Sequence, residues 1–334
     1  MIRERPGPAG GRAAQTPNGC EMNRISLSEY TVIPLWYECN NNCAICMLTP
    51  IKGKLPAIDF DLFKKLVIGV ASSGRCRRLI LSGAEVTTFT ELERYVAFAA
   101  GLGWFETIQI QTNGRRLSDP AYLRTLVRAG VNEFFISVHG PGEVHDALSR
   151  VPGSYHETME GMANLEAYDV NLITNTVLTR LNLAHVPALL SNIAAGKASE
   201  MNLWNFFPMQ ERDTQDLVVG ISNLLAMLSD VLPILVAARK PLVLKAFPEC
   251  LPVSDPVVVD SDFPLTLIPD VFWEALGRSG FGMCKHREAC GAKKCWGLSR
   301  AYITKYGDEE DGLSPIYNRP GPATPIESPS VKKR

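Results

Sequence analysis

Residues 30–46, with the sequence YTVIPLWYECNNNCAIC, join a predicted strand to a loop that contains three cysteines. The apolar and β-branched residues 30–35 predict a β-strand. Cys39, Cys43 and Cys46 follow with three and two residues between them, a spacing that can aim three thiolates at one point. A four-iron cluster normally takes four cysteine thiolates, so a loop with three indicates a cluster with one iron left open.

Closely spaced cysteines have other uses. Free cysteines are often small buried hydrophobic residues, but Glu38 and the asparagines at 40–42 make this loop polar. Zinc is the stronger alternative, because it also binds close thiolates and takes four ligands. Disulfides would need an oxidising compartment, and the chain does not open with the basic and then apolar segment of a secretory signal. The spacing favours an iron–sulfur cluster and leaves zinc open.

Length and composition limit the classes of protein that fit. The 334 residues suffice for one large α/β domain with a small extension. A formal net charge of -1 gives no basic footprint for a nucleic acid, and no run of about twenty apolar residues indicates a membrane span. Nine cysteines indicate metal or redox chemistry in a cytoplasmic protein. We therefore expect a cytoplasmic protein without nucleic-acid or membrane partners.

Short β-rich runs alternate with helical patterns along residues 30–207. The strands are predicted at residues 30–35, 78–81, 107–111, 133–138, 172–178 and 200–207. Because parallel strands need crossover connections, these six βα units predict a parallel sheet with helices outside it. Six units rather than eight predict an open, partial (β/α)6 barrel.

Polar or glycine-containing motifs follow three of these strands. Ser82-Gly83-Ala84-Glu85 ends the second strand, Thr112-Asn113-Gly114 the third, and Ser137-Val138-His139-Gly140 the fourth. Ligands of α/β folds bind at the carboxyl ends of the strands, so these motifs indicate one composite site.

The cysteine loop and the motif after the second strand together resemble the radical S-adenosylmethionine (SAM) superfamily, over roughly residues 30–210. The resemblance implies a [4Fe–4S] cluster on Cys39, Cys43 and Cys46, whose open iron chelates the amino and carboxylate groups of SAM. Ser82–Glu85 occupies the place of a Gly-Gly-Glu motif whose backbone holds the SAM amino group. Two departures are Ala84 for the second glycine and Ile45 for the usual aromatic residue near adenine, and neither removes a ligand.

The same resemblance implies which other residues contact SAM. An arginine such as Arg150 would pair with the methionine carboxylate, as guanidinium groups do well, although a solvated surface role is equally open. His139 is either a proton donor or a hydrogen-bonded turn residue. The implied SAM-contacting residues are Ile45, Ser82, Gly83, Ala84, Glu85, Asn113, Ser137, Arg150 and Asn175.

A second cysteine group lies near the C-terminus. Cys284, Cys290 and Cys295 are close in sequence, and Cys250 follows a predicted strand at 242–246. Four thiolates would complete a closed cluster, and the arrangement resembles the auxiliary-cluster extensions called twitch or SPASM domains. Zinc is the alternative, with His286 able to replace a thiolate. If Cys250 is not a ligand, this cluster would have an open iron.

The chain is expected to divide into four parts. These are a leader at 1–25 without fixed structure, a partial barrel at 26–212, a helical and cysteine-rich region at 213–312, and a tail at 313–334 without fixed structure. Trp296, Tyr302 and Tyr306 are expected beneath the second cluster.

The resemblance implies an enzyme that cleaves SAM reductively to a 5′-deoxyadenosyl radical, which removes a hydrogen atom from a peptide or a small molecule in a biosynthetic or maturation pathway. A flavodoxin- or ferredoxin-type protein would supply the electron. The alternatives are a radical SAM methyl- or aminocarboxypropyl-transferase and, from another class, a non-catalytic zinc-binding module.

Overall fold

The computed structural model describes residues 26–262, 265–266, 270–292, 294–308 and 313–317. The expected leader at 1–25 and the part of the expected tail from residue 318 onward lie outside these ranges, as does Cys20. The strands are β1 (Tyr30–Trp36), β2 (Arg78–Gly83), β3 (Thr107–Thr112), β4 (Glu133–Ser137), β5 (Asn171–Leu178), β6 (Glu200–Asn205), β7 (Leu242–Lys245), β8 (Val257–Val259) and β9 (Leu265–Thr266).

Helices connect these strands. They are α1 (Phe60–Ser73), α2 (Leu92–Gly101), α3 (Pro120–Ala129), α4 (Glu143–Ser149), α5 (Ser154–Asn164), α6 (Val186–Ala195), α7 (Ile221–Ala238), α8 (Asp270–Gly277) and α9 (Arg300–Tyr306).

All strand pairs in the sheet are parallel. The spatial order is β8-β7-β6-β5-β4-β3-β2-β1-β9, so β1 to β6 lie side by side in chain order. This confirms the predicted succession of six βα units. The sheet does not stop there, because β7 and β8 extend it beyond β6 and β9 extends it beyond β1.

A hydrogen bond inside the sheet demonstrates its curvature. The Tyr30 hydroxyl on β1 donates to Glu133 Oε1 on β4 at 2.8 Å. Two strands lie between β1 and β4, which would separate them by about 14 Å in a flat sheet. The two side chains meet because the sheet curls into a partial barrel, as expected.

The main core lies between the sheet and its helices. Along β5, buried residues alternate with partly exposed ones, so one face packs on helices and the other faces the barrel interior. The buried face includes Leu172 and Leu178, which pack with helical residues such as Phe63 and Leu190 in a single core cluster. Each such side chain contributes roughly 1.5–3 kcal/mol on burial.

One helix among the described residues, α7, is long and apolar enough to cross a membrane by length and composition. Its buried residues include Leu224, Val231 and Leu235, which belong to the main core cluster. A core helix passes the same test, so α7 carries little weight as a membrane span.

Candidate functional site

The loop with the first three cysteines follows β1 and rests on the end of α4. The Asn42 N–H donates to the Ser149 carbonyl at 3.1 Å, and the Ala44 N–H donates to the Leu148 carbonyl at 2.9 Å. The last carbonyls of a helix lack partners within the helix, and here the loop provides them. The carboxyl end of α4 therefore fixes the position of the loop.

The three thiols lie close enough to affect one another. Burial, with a smaller contribution from the charge on Cys46, raises the pKa of Cys39 to about 11 and that of Cys43 to about 12. The Asn41 N–H donates to Cys39 Sγ at 3.3 Å, which favours the thiolate. Metal binding deprotonates coordinating thiols, so sulfur donors gathered in this way fit a thiolate-bound metal centre.

Gly83 brings the end of β2 against β1. It has a φ of 145°, and a Cβ at this position would lie 2.0 Å from the Trp36 carbonyl oxygen. The neighbouring Ala84 N–H donates to that oxygen at 2.8 Å, and the Glu85 N–H donates to the Glu38 carbonyl at 3.0 Å. The contact between the two strands therefore requires glycine at position 83, apart from any contact with a ligand.

The Glu85 carboxylate connects the ends of β2 and β3. It is 1% exposed and accepts hydrogen bonds from the hydroxyls of Thr87 and Thr112 and from the Asn113 N–H, each at 2.6 Å. Burial raises the pKa of Glu85, while these hydrogen bonds act in the opposite direction. Glu85 therefore holds the motif after β2 in place, a role that the sequence motif alone did not reveal.

The end of β3 also contacts the cysteine loop. Asn113 Nδ2 donates to Asn40 Oδ1 at 2.7 Å. Arg115 Nη1 donates to the Asn40 carbonyl and to Asn41 Oδ1, both at 2.7 Å. The motif after β3 predicted Asn113 at the site but not Arg115, because nothing in the run Gly114-Arg115-Arg116 distinguishes Arg115 from its neighbour.

His139 connects the ends of β4 and β5. Its Nδ1 accepts the Val177 N–H at 3.3 Å, and its own N–H donates to His145 Nδ1 at 3.0 Å. Burial lowers the pKa of His139 to about 3, with His145 adding to the effect. A neutral imidazole with Nδ1 engaged matches the hydrogen-bonded turn residue better than the proton donor.

Ser137 and Asn175 are paired in register at the ends of β4 and β5, and both are partly exposed on the face towards the interior. Asn175 Oδ1 is buried, and it has no hydrogen-bond partner among the residues that the structure describes. A buried acceptor without a partner is costly and fits a site that receives a ligand.

Arg150 and Ile45 differ in their exposure to solvent near the cysteine loop. Arg150 is exposed, and its Nη2 donates to Gln215 Oε1 at 2.8 Å, while Gln215 Nε2 donates to the Ala44 carbonyl. Ile45 is buried in the main core. Arg150 can therefore reach a ligand at the loop, whereas Ile45 mainly anchors the loop to the core.

The second cysteine group surrounds one cavity. Cys250, Cys284, Cys290 and Cys295 all line it. Burial, with smaller contributions from the charges on the other three thiols, raises the pKa of Cys250 to about 11. The Ile316 N–H donates to Cys290 Sγ and the Gly297 N–H to Cys295 Sγ, both at 3.3 Å. The fold thus brings Cys250 to the other three despite the long sequence separation.

The spacing of these thiols bears on the choice between a cluster and zinc. Within the described ranges, no three side chains of His, Cys, Asp or Glu are arranged to hold a single metal ion. Zinc needs thiolates at about 2.3 Å from one point. Four thiols around a cavity fit a multi-atom cluster better, although His286 lines the same cavity.

The aromatic residues near this group are divided between two places. Trp296 is buried against Phe207 and Ala246, and its Nε1 donates to the Ser261 carbonyl at 3.2 Å. Tyr302 and Tyr306, expected beneath the second cluster, pack in the main core cluster, which also contains the cavity-lining Leu298 and Leu313. Their hydroxyls bond to the Ile221 N–H and the Val218 carbonyl at the start of α7.

The expected tail begins with an attached segment. Leu313 is buried and lines the cavity of the second cysteine group. The Ile316 carbonyl accepts the Gly291 N–H at 2.8 Å. Residues 313–317 therefore pack on the cysteine-rich region.

Comparison with known proteins shows the family that the chain matches. Residues 33–193 match the family model described as the Radical SAM superfamily. The AdoMet-dependent heme synthase of Oleidesulfovibrio alaskensis is 30% identical over 108 residues, which are 32% of this chain and 27% of that protein. The 7,8-dihydro-6-hydroxymethylpterin dimethyltransferase of Methanocaldococcus jannaschii is 27% identical over 134 residues, 38% of this chain and 26% of that one.

A solved structure has a similar fold. Streptococcus suis SuiB bound to precursor peptide SuiA superposes with a TM-score of 0.55 and 12% identity, covering 72% of this chain and 51% of that chain. At this identity the likeness concerns the fold alone. The chain spans about half of that structure and, in the aligned parts, about a quarter of the two curated relatives.

Proposed function

Because this chain belongs to the radical SAM superfamily, we propose that it is an enzyme that cleaves SAM reductively at the loop of Cys39, Cys43 and Cys46. The observation that carries the proposal is the gathering of three thiols at the carboxyl end of β1, beside the motifs that end β2 and β3. A [4Fe–4S] cluster and SAM bound there would supply a 5′-deoxyadenosyl radical able to remove a hydrogen atom from a substrate.

The chain's own residues would hold SAM around this loop. Carbonyl oxygens of Ser82–Ala84 would accept from the SAM amino group. The N–H groups of Ala84 and Glu85 donate to carbonyls of β1 and its loop and so hold this segment in place. Arg150 lies beside the loop through Gln215 and can pair with the methionine carboxylate. Ser137 would contact the ribose or the methionine part of SAM. Asn175 Oδ1, which has no hydrogen-bond partner among the described residues, would accept from a ribose hydroxyl.

The second cysteine group would hold an auxiliary [4Fe–4S] cluster. Four thiols around one cavity supply the full set of ligands, and backbone N–H groups already point at two of the sulfurs. An auxiliary cluster can take an electron from a product radical or anchor the substrate. Trp204 and Met209 pack in one cluster with Met47, which follows Cys46, and Trp296, which follows Cys295, and they are candidates for the substrate pocket.

The substrate is proposed to be a peptide or a small molecule of a biosynthetic or maturation pathway. The structural neighbour SuiB was solved with a precursor peptide, and the two curated relatives are named for work on heme and a pterin. A flavodoxin- or ferredoxin-type protein is the proposed electron donor.

The test is anaerobic incubation of the reconstituted protein with SAM and dithionite, followed by iron analysis and product identification. The wild type should hold about eight iron atoms per chain and release 5′-deoxyadenosine. Replacement of Cys39, Cys43 and Cys46 with Ala should abolish the product and leave about four iron atoms at the second group. Cys76→Ala is the matched control, because Cys76 is buried at the amino end of β2, and it should behave as the wild type.

Other results would redirect or reject the proposal. A colourless protein with zinc and no iron would reject it in favour of the zinc-binding module. Methylthioadenosine as the product would indicate aminocarboxypropyl transfer, and S-adenosylhomocysteine would indicate methyl transfer. The dimethyltransferase relative makes the latter the main alternative.

A further inference from the structure

Asn41 lies between the first two cysteines of the first cysteine loop. It is 6% exposed. Its backbone N–H donates to Cys39 Sγ at 3.3 Å. A buried residue of the loop thus directs a backbone donor at one of the three sulfurs.

Arg115 fixes the orientation of the Asn41 side chain. Its Nη1 donates to Asn41 Oδ1 and to the carbonyl of Asn40, both at 2.7 Å. A carboxamide is planar, with an acceptor oxygen and a donor nitrogen. Because the cation bonds both to Oδ1 and to the preceding carbonyl, it holds this part of the loop with the Asn41 N–H directed at Cys39 Sγ.

The cation has a single described ion-pair partner. Arg115 Nε bonds to Glu157 Oε2 on α5. The Arg115 side chain is 15% exposed and that of Glu157 is 44% exposed. Water therefore screens the guanidinium less than it screens the carboxylate, and the charge of Arg115 acts at short range on the loop.

We propose that Arg115 is a positioning residue for the first cluster, acting through Asn41, and that Arg115 and Glu157 adjust the reduction potential of that cluster in opposite directions. The inference rests on the proposed function, since it requires a cluster on Cys39, Cys43 and Cys46. Hydrogen bonds to the sulfurs and net charge are among the factors that set the potential of iron–sulfur clusters. A nearby cation favours the reduced, more negative cluster, and a nearby carboxylate opposes it.

The test is a redox titration of the first cluster, followed by electron paramagnetic resonance (EPR) and identified by the change of its signal on adding SAM. Arg115→Gln should lower the equilibrium constant for one-electron reduction of the cluster about tenfold, which lowers its reduction potential by about 59 mV. Glu157→Gln should raise the potential. Arg115→Lys, which keeps the charge but not the planar fork, should fall between Arg115→Gln and the wild type.

Arg116→Gln is the matched control. Arg116 Nη1 donates to the Thr87 carbonyl, and the Arg116 guanidinium lies 4.1 Å from the centre of the Tyr122 ring. The substitution therefore removes the same charge without touching the loop. Its shift should be less than a third of that of Arg115→Gln.

The outcomes separate this inference from the proposed function. A wild type without a SAM-sensitive iron signal would reject the proposed function. A wild type with that signal, together with shifts of equal sign in Arg115→Gln and Glu157→Gln or shifts no larger than in the control, would reject the inference alone. A merely structural role would not give shifts of opposite sign. If Arg115→Gln fails to retain the first cluster, Glu157→Gln tests the inference alone. A higher potential than in the wild type supports the inference, and an unchanged or lower potential rejects it.

Discussion

Among the glycines that the structure describes, Gly83 has the least room for a side chain. An added Cβ would meet the Trp36 carbonyl oxygen at 2.0 Å, and the backbone of Trp36 cannot move without breaking the pairing of β1 with β2. We predict that Gly83→Ala lowers the free energy of unfolding by at least about 2 kcal/mol, from the close contact and the positive φ together. Urea unfolding of the variant and the wild type measures this.

Gly69→Ala is the control for that substitution. Gly69 lies within α1, and a Cβ there would meet nothing within 4 Å. This variant should be more stable than the wild type by about 0.5–1 kcal/mol, because alanine favours a helix. Equal effects of the two substitutions would contradict the strand contact at Gly83.

At the scale of elements, two histidines join the end of β4 to α4. Their rings stack with centroids 5.6 Å apart, and burial lowers the pKa of His139 to about 3 and that of His145 to about 4. In the unfolded chain a histidine binds its proton below about pH 6.5. Between these values the unfolded state binds more protons, so stability falls as the pH falls.

His145→Gln should reduce this pH dependence. From pH 7.0 to 5.5 the wild type should lose about 1 kcal/mol of unfolding free energy for each buried histidine, and the variant should lose about 1 kcal/mol less. Denaturant unfolding at the two pH values measures the difference. His156→Gln, on the exposed face of α5, should keep the wild-type dependence. An unchanged slope in His145→Gln would contradict a buried, neutral His145.

The strands and helices of the partial barrel were predictable because their patterns are local. β-rich runs that alternate with helical patterns predicted β1 to β6 close to their observed bounds. The strands β8 and β9, of three and two residues, are too short to show a pattern of apolar residues. The support of the cysteine loop by α4 uses backbone carbonyls, which every residue has, so no side-chain signal could reveal it.

At the scale of the whole molecule, the C-terminal region returns to the sheet. β7 and β8 extend one edge, β9 extends the other, and Cys250 joins cysteines more than thirty residues away. The spacing of the cysteines predicted the first group and three members of the second, and Cys250 was added because it follows a predicted strand and would complete four thiolates. It did not predict the Arg115–Asn41 contact or the packing of residues 313–317, because these depend on which distant segments the fold brings together.

The central claim is that the first cysteine group leaves one iron open for SAM. The most direct measurement is the EPR spectrum of the dithionite-reduced, reconstituted protein with and without SAM. SAM should change the signal of one cluster in the wild type, and no SAM-dependent change should remain after Cys43→Ala, while the signal of the second cluster persists. A spectrum that SAM leaves unchanged in the wild type, or a SAM-dependent change that survives Cys43→Ala, would contradict the claim.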